Sequence, residues 1–104
     1  MNDDLASYTS NMEIKRDDNG KKGQFSAWVN DEEAGLMTYT WAGEHKFIID
    51  HTEVSPDYSG QGVGKKLVMA AVEFARENGL KILPLCPYAK SVFEKTPAIQ
   101  DLLF

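Results

Sequence analysis

Four stretches in the first half of the chain alternate apolar and polar residues with a period of two: 12–16, 23–30, 34–41 and 46–54. That period marks strands with one buried face. In the second stretch Phe25, Ala27 and Val29 stand against Gln24, Ser26 and Trp28, and the third is rich in Thr, Tyr and Trp, as strands prefer. Asp17-Asp18-Asn19-Gly20, Asn30-Asp31-Glu32 and Ala42-Gly43-Glu44 separate the runs. Connections so short, made of turn-forming residues, predict an antiparallel meander.

Beyond Gly60 the period changes. Val63, Leu67, Ala71 and Phe74 make one apolar stripe with Val68, Val72 and Ala75 beside it, while Lys66, Glu73, Arg76 and Glu77 lie outward. This spacing predicts a helix over 61–78, closed by Asn78-Gly79. A continuous apolar run over 80–85 predicts a buried strand. A second helix is expected from Pro87 to Lys95, with proline in its first turn and Thr96-Pro97 as its stop, followed by one or two amphipathic turns to Phe104. The order β-β-β-β-α-β-α, with a single crossover helix, gives an α/β (α+β) fold built on a mixed sheet. Residues 12–104 are expected to form one domain, and residues 1–11, polar and without periodicity, a flexible tail.

Bulk properties exclude several classes. A chain of 104 residues buries about 65% of the surface that its unfolded form exposes, enough for one core and not two. A net charge of −5 argues against nonspecific nucleic-acid binding, which depends on basic surface. Cys86 is the sole cysteine and forms no metal-ligand cluster with His45 and His51, so neither an internal disulfide nor bound metal is expected. No apolar run approaches the ~20 residues of a membrane span, and the polar, acidic start does not read as a leader, so a cytoplasmic location is expected.

The chemistry concentrates at Ser59-Gly60-Gln61-Gly62-Val63-Gly64-Lys65-Lys66, where alternating glycines follow a strand and open a helix. Glycines let main-chain N–H groups converge without Cβ obstruction, and the first helical turn adds unpaired donors and a positive dipole end. Lys65 and Lys66 sit where the dipole disfavours cations, an arrangement that an anion would relieve. A phosphorylated ligand is therefore expected. The dinucleotide fingerprint would need glycine at Lys65, and a Walker loop would need glycine at Ser59 and Ser or Thr at Lys66. Cys86 would cap the second helix, where dipole and free N–H groups favour the thiolate; the alternative is a small buried hydrophobe. His51 and Glu53, two apart on a strand, would share one face, and either could take a proton, Glu53 if burial raised its pKa.

Val54-Ser55-Pro56, a short gap, and Gly60-Gln61-Gly62-Val63-Gly64 resemble the acyl-CoA pyrophosphate loop of the GNAT superfamily of N-acetyltransferases. With His51-Thr52-Glu53-Val54 before it and Pro84-Leu85-Cys86-Pro87-Tyr88 after it, the segment 45–95 is similar to a minimal, single-domain branch of that superfamily. The resemblance implies an acetyl-CoA-dependent acyltransferase acting on an amine of unknown identity. It also implies that the fourth and fifth strands pair and then splay, with the cofactor's pantetheine arm in the gap against the backbone of Thr52 and Val54. Ser59 through Lys66 would then hold the diphosphate, Cys86 would lie near the thioester, and His51 or Glu53 would serve the amine as base. A backbone N–H of the fourth strand would meet the oxyanion.

The chain departs from the family's pattern in three ways. The loop's leading Gln or Arg is Ser59. In the second signature, N-x-x-A-x-x-x-Y, alignment on Ala89 puts Cys86 at the asparagine and Phe93, which has no proton to give, at the tyrosine; Tyr88 is five residues away on the helix and points elsewhere. The helices that larger members insert between the first two strands have no room between Asp17 and Lys22, which leaves an open site suited to a large acceptor, a protein among them. Two other readings stay open: a non-catalytic acyl-CoA-binding or sensing module, and a scaffold presenting exposed Trp28, Tyr39 and Trp41.

Overall fold

The computed structural model describes residues 12–104, so the expected tail lies outside the described residues. β1 (Met12–Asp18), β2 (Lys22–Val29), β3 (Glu32–Trp41) and β4 (Lys46–Val54) form the antiparallel meander. A 3₁₀ turn, Pro56–Tyr58, precedes helix α1 (Val63–Asn78), which crosses to β5 (Lys81–Pro84), parallel to β4. Helix α2 (Pro87–Lys95) and a closing 3₁₀ segment (Pro97–Leu102) complete the order. The sheet runs β1-β2-β3-β4-β5, the mixed architecture that the periodicity predicts. Helix α1 starts two residues later than expected because Gly62, in the left-handed conformation, caps it from outside.

The core lies between one face of the sheet and the helices. Val63, Leu67, Val68, Ala71, Val72 and Ala75 of α1 are buried against Phe25, Met37, Tyr39, Phe47 and Ile49. Each larger aliphatic side chain so placed contributes about 1.5–3 kcal/mol. Tyr39 is fully buried, which overturns its assignment to an exposed aromatic surface; Trp28 and Trp41 are half-buried. The Tyr39 hydroxyl donates to Asp18 Oδ2 at 2.5 Å, and the Trp41 indole donates to the same oxygen at 2.7 Å. Among the described residues, no helix is long and apolar enough to cross a membrane.

Two irregularities position the site. In the β3–β4 ladder Thr38 opposes His51 and Tyr39 opposes Ile49, so Asp50 is an extra residue. This bulge resets the alternation: Ile49 and, three residues on, Thr52 face the helices, while His51 and Glu53 face away. The second irregularity is the short β4–β5 pairing. It covers only Lys46–Ile49 against Lys81–Pro84, while β4 continues to Val54. Pro84 has no N–H to extend the ladder, and the Leu85 and Cys86 N–H groups both turn back to the Ile49 carbonyl, each at 3.1 Å.

Candidate functional site

The splay exposes one edge of β4. The Ser55 N–H donates to Ala34 of β3 at 2.8 Å. Strand alternation therefore turns the main-chain groups of Thr52 and Val54 the other way, toward the gap left by β5. At the gap's mouth stands the glycine loop. A groove of about 410 Å³ runs between them, lined by Thr52, Val54, Ser59, Gly60, Gly64 and Tyr88, among others.

The loop is shaped by backbone needs. Gly60 has φ of 78° and Gly62 of 77°, a region costly for residues with a Cβ. The first helical bond of α1 runs from the Lys66 N–H to the Gly62 carbonyl at 3.0 Å. The N–H groups of Val63, Gly64 and Lys65 thus have no acceptor within the helix, and Gly62 has no side chain to cap them. These donors, at the positive end of a 16-residue helix, fit a diphosphate. Gln61, Lys65 and Lys66 are exposed beside the groove and do not line it.

Cys86 is the N-cap residue of α2, followed by Pro87, as its sequence position predicts. It is only 5% exposed, and the thiol donates to Thr52 Oγ1 at 3.4 Å. Burial is the largest influence on this thiol and pushes its pKa up. The Thr52 hydroxyl and the N–H groups of Ala89, Tyr88 and Thr52 together outweigh it, and hold the thiol below its ordinary value. Cys86 is thus both a buried residue and a thiolate-prone one.

His51 and Glu53 pair with each other, Nε2 to Oε2 at 3.8 Å, so they do share a face. That face is opposite to the one on which Thr52 meets Cys86. Their side chains are 63% and 70% exposed, so the burial expected for Glu53 is absent. A larger hollow, about 680 Å³, lies on this outer face near them, lined by Gln24, Thr38, Thr40 and Asp50 among others.

Phe93, at the signature's tyrosine position, is buried in the core. Tyr88 is 42% exposed and turns onto the groove. A β-carbon on Gly64 would lie 2.8–2.9 Å from the tip of its ring. Sequence reasoning set Tyr88 aside. The signal that would have found it is the glycine at position 64, where the family pattern also admits alanine.

A family model described as GCN5-related N-acetyl-transferase matches residues 24–102. The chain belongs to this family. A solution structure of a GCN5-like protein from Staphylococcus aureus is 41% identical, covers 91% of this chain and 90% of its own, and superposes with a TM-score of 0.66. Protein NATD1 of Xenopus tropicalis is 29% identical over 94% of this chain and 91% of its own length. A Bacillus subtilis acetyltransferase crystallised with CoA shares the fold at 19% identity and a TM-score of 0.64, covering 81% of this chain and 74% of that one. In this member of the family three residues, Asn19–Lys21, join β1 to β2.

Proposed function

We propose that this protein binds acetyl-CoA along the open edge of β4 and transfers the acetyl group to an amine. The observation that carries this reading is the splay at Ile49 and Pro84 leading straight to unpaired helix N–H groups. The CoA complex of the Bacillus subtilis neighbour supports the choice of ligand. The amides of residues 60–65 would hold the diphosphate, and the backbone of Thr52 and Val54 the pantetheine arm. Acetyl-CoA supplies an activated acyl carbon.

The chain's own residues do the rest. With acetyl-CoA bound, the Cys86 thiolate would attack the acyl carbon and displace the CoA thiolate, whose proton would have to come from solvent, because Phe93 has none to offer. An amine would then attack the S-acetyl group and lose its proton to solvent, since His51 and Glu53, the expected bases, stand on the opposite face of β4, and Cys86 would leave as thiolate. His51 and Glu53 stand on the exposed outer face of the sheet, where a large acceptor has access. A non-catalytic acyl-CoA-binding module is the second reading, favoured by the buried Phe93.

Intact-mass measurement after incubation with acetyl-CoA tests the covalent step. The wild-type chain should gain one acetyl group and Cys86→Ala none. An adduct that persists unchanged in Cys86→Ala removes Cys86 as acceptor, and binding without any adduct or turnover favours the second reading.

A further inference from the structure

Tyr88 belongs to the groove. The Cε2 and Cζ atoms of its ring lie 2.8 Å from where a Gly64 β-carbon would stand, and its oxygen lies 2.9 Å from that point. The phenol therefore touches the first turn of α1, beside the N–H groups without acceptors. Two influences raise its pKa, burial first and Cys86 second, and no hydrogen-bond partner contributes. The oxygen is thus a protonated donor at neutral pH, in reach of a ligand and without a hydrogen-bond partner among the described residues.

The head of the loop presents the complementary lack. The long donor that the family pattern puts at its first position is Ser59, and Ser59 lines the same groove as Tyr88. We infer that Tyr88 is a positioning residue of the cofactor site, its phenol donating a hydrogen bond to the diphosphate in place of the side-chain donor missing at Ser59. This rests on the acetyl-CoA reading above and adds to it a second wall of the cradle, contributed by α2. It also accounts for glycine at position 64, since even alanine there would displace the ring.

Calorimetric titration of the full chain with CoA tests the inference, with amide NMR spectra establishing that each variant keeps its fold. Tyr88→Phe keeps the ring and removes only the donor, and should bind CoA about tenfold more weakly, the loss expected of one hydrogen bond to a charged group. Ser59→Gln should restore most of that affinity in the Tyr88→Phe background and add less to the wild type, because the two donors serve one acceptor. Equal affinity of Tyr88→Phe and wild type would overturn the inference and leave the acetyl-CoA reading intact. A loss that Ser59→Gln cannot restore would also overturn it, leaving the phenol a packing role. A wild-type chain that binds no CoA would overturn both.

Discussion

The sulfur of Cys86 and the hydroxyl of Thr52 lie 3.4 Å apart across the gap where β4 and β5 separate. The contact joins the free edge of a strand to the cap of a helix, and it stabilises the thiolate in a place where burial alone would suppress it. The alkylation rate of Cys86 should follow its thiolate, rising with pH to a plateau whose midpoint lies below that of an ordinary thiol. In Thr52→Val the hydroxyl is gone and burial is less opposed, so the midpoint should move to higher pH. A midpoint that stays in place would mean that the N–H groups carry the whole effect.

The cluster around Asp18 should govern acid stability. Burial pushes this carboxyl up, but hydrogen bonds from Tyr39, Gly20 and Trp41, with the charge of Arg16, hold it below 3.8. A carboxyl whose folded pKa is depressed adds stability that is complete above its unfolded value and is lost as pH falls through the folded one. Urea midpoints of the wild type should therefore drop on acidification, and Asp18→Asn should flatten that limb. At neutral pH Asp18→Ala should cost about 1–3 kcal/mol, because the buried Tyr39 hydroxyl and the half-buried Trp41 indole lose their acceptor. Burial and Asp18 together push the Tyr39 phenol up to about 12, so its phenolate absorbance should appear only near that pH.

Gly64 and Tyr88 should behave as a coupled pair. Alanine in a helix ordinarily gains about 1 kcal/mol over glycine. Gly64→Ala should fail to show that gain, because its β-carbon would stand 2.8 Å from the ring of Tyr88. The double variant Gly64→Ala/Tyr88→Ala should recover it, giving a non-additive cycle in denaturant unfolding. Strict additivity would mean that the ring moves aside freely.

Much of this was legible in the sequence, and the limits have physical causes. The bounds of β4 and α2 follow from alternation and from Pro87 with Thr96-Pro97, and the loop's place before a helix follows from three glycines ahead of an amphipathic stripe. The bulge at Asp50 does not, because an extra residue in a ladder has no local marker when the residues after it, His51, Thr52 and Glu53, are also polar. It decides that Thr52, rather than His51 or Glu53, faces Cys86. The burial of Tyr39 was equally hidden, since it depends on a carboxylate 21 residues earlier in the chain. Tyr88 could be placed only once α1 and α2 were seen side by side.

The central claim is that main-chain amides between residues 59 and 65 grip a diphosphate. Titration with acetyl-CoA, followed by amide NMR for the wild type and Gly62→Asp, tests it most directly. The account predicts that the largest shifts fall on the amides from Gly60 to Lys66, and that Gly62→Asp binds at least tenfold more weakly through charge repulsion and an obstructed backbone. No binding at millimolar ligand, or shifts centred elsewhere with equal affinity in the variant, would contradict it.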